Sequence, residues 1–460
     1  MIPRRRAKLS GVAAPCLALW LGACSSVAPQ PAIPASTPAA GAPLAQEERP
    51  NWVIIAPDSM RADRLGPLPD GSVPAPNLSR LAGEGVVFSN AFSQSGWTAP
   101  ALASLLTGRY PTVLGFGTEN NPNSSWSPGV RTVPEILTIY GYQTAAFWGD
   151  TMAGVNPAFS VGFGETFRSE SAGLLPDQQD VKEWITHKAH APFFLVVHNF
   201  DLRDQKIPPP PITGSKSFLD AYDNTVRRYD AEFLDLRQWL ADAGFGDDTV
   251  LVVVSNHGLD FFGHGPGISH GTLYDSVLRV PLAIIDPRAT VHGVNDTVVQ
   301  GIDLAPTILA RSGVPPEVAM DGHSLLPFLG GSGTYTAGDV YSQTNAQDRS
   351  VRTERYKLIS CHGACCGTGV GVDPLQCTGP EEYRLYDLEA DPAEVHDLAR
   401  SEPDVLRTCA AKLDAWEARY AGQPSGPGQF AVSASQKKLL QDGGYWGLMF
   451  PGDPPAAVSP

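Results

Sequence analysis

Five short apolar runs constrain this chain more than any other feature: "WVIIA", "QTAAFW", "FFLVVHNF", "TVLVVVSN" and "VPLAII". Each is rich in β-branched or aromatic residues and too short for a buried helix, so each reads as a strand. Because the runs are nearly continuous rather than alternating, they read as strands covered on both faces, the mark of a parallel sheet. Between them lie stretches that read as helices, such as residues 76–84 and 218–243. This alternation predicts an α/β fold with a large, mostly parallel sheet flanked by helices, spanning residues 51–330.

Past residue 330 the texture changes. "DRSVRTERYKLIS" and "EEYRLYDLEADP" read as antiparallel hairpin strands, followed by a helix over residues 402–420. We expect a small C-terminal α+β subdomain over residues 331–421 and an irregular tail over residues 422–460. At the other end, "MIPRRRAKLSGVAAPCLALWLGAC" has a basic start at Arg4, Arg5, Arg6 and Lys8, a short apolar stretch, and small residues before Cys24. "LGAC" is similar to the lipobox of bacterial lipoproteins, which implies cleavage of residues 1–23 and lipid on Cys24. The apolar stretch is well short of the roughly 20 residues a spanning helix needs. Residues 24–50 are rich in Pro and Ala and read as a tether. Together these features predict a lipid-anchored protein of the bacterial cell envelope.

The formal net charge is −15, and loss of the basic leader would make the mature chain more acidic still. Such a chain lacks the clustered Lys and Arg that nucleic acid demands. Cys361, Cys365, Cys366, Cys377 and Cys409 all lie in the last quarter. In an oxidising envelope they read as two disulfides and one leftover thiol, with a zinc cluster as the sharper but less well-spaced alternative.

Three apolar runs end in groups that hold cations or move protons. "WVIIAPDS" ends at Asp58, "FFLVVHNFD" carries His198 and ends at Asp201, and "TVLVVVSNHG" carries Asn256 and His257. In open parallel sheets, ligands sit at the carboxyl ends of the strands, so these residues are expected to converge. "TAPALASLLTG" reads as a helix with Thr98 near its start, Pro100 in the first turn and Gly108 as its stop. A hydroxyl there faces the positive end of the helix dipole, which suits a phosphate or sulfate oxyanion. Taken singly, each residue has a plain structural reading: Thr98 as a cap, Asp58 as a turn residue, His257 as a strand-end residue, and His264 and His270 as surface residues of a Gly-rich loop.

The ordered set resembles the sulfatase family of the alkaline phosphatase superfamily. "NWVIIAPDSMRADRLG", "PNLSRLAGEGVVFSNAFSQS", "ASLLTGRYP", "YDAEFLDL", "SNHGLDFFGHG", "HGTLYDSVLRVPL", "DLAPTIL" and "DGHSLLP" follow one another in that family's order. "RTERYKLI", "LYDLEADPAEVHDL" and "LLQDGGYW" extend the resemblance to residue 446. It implies an alkaline-phosphatase-like sandwich, Asp58, Asn256 and His257 as metal ligands, and Thr98 as nucleophile. It also implies His270 and His264 as proton donors to the leaving oxygen, with His198 and Arg203 touching substrate. The implied cofactor is a divalent metal ion, with Ca²⁺, Mg²⁺ or Mn²⁺ favoured over Zn²⁺ by the oxygen-rich ligands. Asp230 and Arg279 also match the pattern, and structural roles are expected for both.

Three departures shape the functional expectation. Sulfatases convert a cysteine or serine to formylglycine; oxidised threonine would give a ketone, and the arginine four residues on is replaced by Leu102, so no formylglycine is expected. Asn256 stands where relatives have aspartate, which lowers the charge available to an ion. Arg203 stands where many relatives have histidine; it can clamp an anion but cannot be a general acid. The leading expectation is a metal-dependent hydrolase or transferase that attacks phosphoesters through Thr98. The alternatives are a sulfuric ester hydrolase, and a non-catalytic binder of anionic envelope glycans.

Overall fold

All five apolar runs form strands, and four of them run as expected. The computed structural model describes residues 48–114, 126–127, 129–149, 156–168, 178–199, 202, 215–264, 268–315, 318–344, 348–362 and 381–423. Cys24, Asp201, Arg203, Cys365, Cys366, Cys377, the leader and tether up to residue 47, and the tail from residue 424 lie outside the described residues.

The main sheet holds β1 (Asn51–Pro57), β2 (Val86–Phe92), β3 (Gln143–Trp148), β4 (Glu165–Arg168), β5 (Phe193–Asn199), β6 (Thr249–Val254), β9 (Arg279–Ile285) and β10 (Gly293–Gln300). Between β6 and β9 the two-residue strands β7 (Asp260–Phe261) and β8 (Ile268–Ser269) form a separate ribbon. The main sheet is ordered β10-β2-β9-β6-β1-β5-β3-β4. The run "VPLAII", expected among the parallel strands, forms β9, which pairs antiparallel with both β2 and β6. A parallel return needs a long crossover, usually through a helix. Among its described residues the β6–β9 connection holds the four-residue helix Asp275–Leu278 and the small ribbon, and the chain turns back beside β6.

Both sheet faces are covered, as the continuous apolar runs require. Trp52, Ile54, Phe194, Val196, Val250 and Val252 join one buried layer. Val53, Ile55, Phe193, Leu195, Leu251 and Val253 join the other. We label the helices that matter here α1 (Thr98–Thr107), α2 (Ser215–Asp242), α3 (Leu304–Arg311) and α4 (Pro403–Tyr420). Tyr222, Val226, Tyr229, Phe233, Leu236 and Leu240 recur along α2 at three- and four-residue steps, and that stripe buries against the second layer. Leu102, Leu105 and Leu106 of α1 and Ile308 and Leu309 of α3 fill the first layer.

Past the main sheet, β11 (Val340–Gln343), β12 (Arg349–Arg352), β13 (Tyr356–His362) and β14 (Glu381–Asp387) form a four-stranded antiparallel sheet, and α4 follows. Cys361 on β13 is disulfide-bonded, whereas Cys409 on α4 is a buried free thiol. Asp230 and Arg279 are structural. Asp230 accepts hydrogen bonds from the backbone N–H groups of Asn77 and Leu78, and Arg279 donates to the Ser89 carbonyl.

Candidate active site

The carboxyl ends of β1, β5 and β6 and the start of α1 meet at one point. Asp58 follows β1, His198 lies near the end of β5, and Asn256 and His257 follow β6. All four are fully buried, and Thr98 is nearly so. Register places them together: Ala56 pairs with His198 and Ile55 with Val253, so the last residues of three neighbouring strands end at one level.

Thr98 is the first residue of α1, and Gly108 ends that helix in the left-handed conformation (φ 67°), which glycine adopts without penalty. The first helical hydrogen bond runs from Ala101 N–H to the Trp97 carbonyl, so the Thr98 and Ala99 N–H groups precede it at the positive end of the helix dipole. Thr98 Oγ1 donates to Asp58 Oδ2 at 2.9 Å and lies 3.3 Å from His257 Nε2.

The tautomer of His257 follows from its other nitrogen. Nδ1 faces the Gly258 carbonyl at 2.9 Å, and a carbonyl can only accept, so Nδ1 carries the proton. In the neutral ring Nε2 therefore turns its lone pair toward Thr98, with Asp58 Oδ1 at 3.5 Å. The Thr98 hydroxyl thus sits between a carboxylate and an imidazole. Ser59 Oγ holds Asp58 Oδ1 at 2.7 Å.

His198 lies 3.8 Å from Asp58 Oδ2, and neither of its ring nitrogens has a hydrogen-bond partner. Burial pushes its pKa down to about 4, against the opposing pull of Asp58, so the ring is neutral at pH 7. It is fully buried, with the Asp58 carboxylate as its charged neighbour.

His270 joins the cluster through packing. Its ring stacks on His257 at 5.3 Å between centroids and meets the Trp97 ring edge-on at 4.8 Å. The next residue, Gly271, has φ +80° and donates its N–H to the Gly96 carbonyl; a Cβ there would fall 2.6 Å from the Trp97 ring. Glycine at that place lets the His270 loop close onto the turn that precedes Thr98.

His264 is a correction to the expected site. Its Nδ1 bonds Asp260 Oδ2 at 2.9 Å, its Nε2 bonds the Ala393 carbonyl at 3.0 Å, and its ring stacks on Tyr274 at 3.5 Å. With both N–H groups committed to Asp260 and Ala393, it ties the loop to the C-terminal segment.

Asn256 also departs from expectation. Its Oδ1 accepts from the backbone N–H groups of Ser59 (3.3 Å) and His257 (2.8 Å). Turning the amide over would press N–H₂ against those two N–H groups, so its orientation is fixed. The Nδ2 end therefore faces Asp58 and donates to Oδ2 at 3.2 Å. Among the described residues, no group of three or more His, Cys, Asp or Glu side chains could hold a metal ion. Hard divalent ions need several oxygen ligands, and here the Asp58 oxygens meet an amide N–H where a further oxygen was expected. Among the described residues, the donor set does not fit a tightly held Ca²⁺, Mg²⁺ or Mn²⁺.

Three residues escaped the reading of the sequence: Ser59, Trp97 and Asp260. Each adjoins or lies near a recognised residue, and chain proximity to Asp58, Thr98 and His264 was the only signal that could have found them.

Residues 50–314 match the family model described as Sulfatase, and residues 269–367 match the C-terminal model of N-sulphoglucosamine sulphohydrolase. The chain belongs to the sulfatase family. It is a sulfatase-like ester hydrolase. It is 24% identical to arylsulfatase A of Homo sapiens over 447 residues, which covers 80% of this chain and 88% of that one. A phosphonate monoester hydrolase of Agrobacterium radiobacter superposes with a TM-score of 0.64 at 19% identity, covering 83% of this chain and all of that one. A second structure, solved with D-glucosamine-2-N,6-O-disulfate, superposes with a TM-score of 0.65 at 18% identity, covering 82% and 99%. These likenesses establish an alkaline-phosphatase-like fold. Members of the sulfatase family typically use a divalent metal.

Proposed function

We propose that this chain hydrolyses phosphate or phosphonate monoesters through Thr98 itself, without formylglycine. The observation that carries this reading is the Thr98 hydroxyl, held 2.9 Å from Asp58 Oδ2 and 3.3 Å from His257 Nε2 at the start of α1. Thr98 Oγ1 attacks phosphorus while its proton passes to Asp58 Oδ2. The bond from phosphorus to the leaving oxygen breaks, and that oxygen takes a proton from His270. Water then attacks the phosphothreonine, returns a proton to His270 and releases phosphate as Thr98 recovers its own from Asp58. Substitution of this kind at phosphorus needs positioning and charge stabilisation above all, and the helix N-terminus supplies positive potential for the oxyanion.

A second reading, sulfate-ester hydrolysis, is favoured by the relatives: arylsulfatase A is named for that chemistry, and one similar structure holds a disulfated glucosamine. The phosphonate monoester hydrolase favours the first. A panel of aryl phosphate, aryl phosphonate and aryl sulfate monoesters on one preparation decides between them. Phosphorus esters turned over faster than sulfate support our reading; sulfate turned over alone refutes it. We also propose that Cys24 anchors the chain to the envelope membrane, so Cys24→Ser should release it from the membrane fraction; retention there would exclude that anchor.

A further inference from the structure

Asp58 is buried, with Ser59 Oγ donating to Oδ1 at 2.7 Å and Thr98 Oγ1 donating to Oδ2 at 2.9 Å. His257 Nε2 lies 3.5 Å from Oδ1 and His198 Nε2 3.8 Å from Oδ2. Asn256 adds a further donor. Its Nδ2 donates to the same Oδ2 that accepts the Thr98 proton, while its Oδ1 is locked by two backbone N–H groups from different strand ends. The amide is thus braced on both sides and cannot turn its oxygen to a cation.

We propose that Asn256 is a positioning residue that takes the place of a cation: its N–H aims Asp58 Oδ2 at the Thr98 hydroxyl, so this chain activates Thr98 with no divalent ion bound at Asp58. The inference rests on Thr98 as the nucleophile and adds how that nucleophile is prepared. An aspartate at residue 256 would present two acceptor oxygens. One would meet the same backbone N–H groups, and the other would face Asp58 across a gap that only a cation could bridge.

The test is calorimetry with Ca²⁺, Mg²⁺ and Mn²⁺ on the full chain after chelator treatment, comparing wild type with Asn256→Asp. Wild type is expected to bind no stoichiometric ion up to about 1 mM, whereas Asn256→Asp gains one site per chain. That site should vanish again when Asp58→Asn is added. The turnover of Asn256→Asp, unlike that of wild type, should fall on adding chelator. In Asn256→Ala, kcat should fall about ten- to a hundredfold with KM little changed, as expected when a group acts through the base and does not touch substrate.

One equivalent of ion on wild type, lost in Asp58→Asn, would overturn the proposal. So would an Asn256→Asp variant that melts like wild type yet binds no ion. The calorimetric readouts involve no ester, so they stand apart from the function. A chain that turns over no ester but gains the site in Asn256→Asp would sink the hydrolase reading and keep this one. A Thr98-dependent hydrolase with an ion at Asp58 would do the reverse.

Discussion

Among the described residues, the polar clusters around Lys357 and around Asp58 are built to opposite ends. Around Lys357 on β13, charge is matched by charge. The fully buried ammonium meets Asp275 at 2.6 Å and Glu394 at 2.8 Å, and Arg352 meets the other Asp275 oxygen at 3.2 Å while packing over the Phe92 ring. Two cations answer two carboxylates. Around Asp58, by contrast, the carboxylate accepts hydrogen bonds from two hydroxyls, those of Thr98 and Ser59, and from the Asn256 amide. The first arrangement fastens the small antiparallel sheet to the loop that carries His264 and His270. The second holds a buried carboxylate oxygen against the Thr98 hydroxyl.

The contrast can be broken by swapping what each cluster controls. Replacing Asp58 with Ala should lower turnover by about 10³-fold or more, since it removes the proton acceptor of the nucleophile, yet shift unfolding free energy by no more than about 1 kcal/mol. Steady-state kinetics beside urea unfolding checks both halves; a large loss of stability would mean that Asp58 is structural. Replacing Lys357 with Ala should do the opposite. It leaves two buried carboxylates without their shared partner and should destabilise by about 3–5 kcal/mol, while the folded fraction keeps its kcat. If that variant melts like wild type, the Lys357 cluster does not fasten the fold.

His264 gives a smaller, pH-dependent effect. Its two partners, a carboxylate and a carbonyl, both only accept, so both ring nitrogens must donate and the ring is an imidazolium. Burial opposes that charge, but the hydrogen bond to Asp260 and its negative charge, helped by Glu394, outweigh burial and raise the pKa above 6.5. A raised folded pKa contributes stability that is complete below 6.5 and is lost as pH rises through the folded value. Asp260 is shifted the other way: burial opposes its charge, but the bond to His264 holds its pKa below 3.8, so its share is lost only as pH falls through that lower value. Between these limits the pair should contribute about 1 kcal/mol after solvent screening. Thermal melts at rising pH above 6.5 should show a decline that His264→Gln flattens; an unchanged slope would mean that the His264 charge does not stabilise the fold.

Much of this was legible in the sequence, for reasons that particular residues make plain. Asp58, His198, Asn256 and His257 end apolar runs, and parallel strands bring their carboxyl ends to one edge, so their meeting follows from pattern alone. Thr98 was legible because Pro100 and Gly108 bracket its helix. The direction of β9 was not: an apolar run shows that a strand is buried, not which way its neighbours run. The amide orientation of Asn256 depends on N–H groups at the ends of two strands, which no local pattern records. His264 reads as a loop residue until the Ala393 carbonyl, distant in sequence, is brought against it.

The nucleophilic role of Thr98 is tested most directly by the turnover of one aryl phosphate monoester by wild type, Thr98→Ser and Thr98→Ala. We predict that Thr98→Ser, which keeps the hydroxyl, stays within about tenfold of wild type, and that Thr98→Ala falls by about 10³- to 10⁴-fold with an unchanged melting temperature. Wild-type turnover in Thr98→Ala would contradict it.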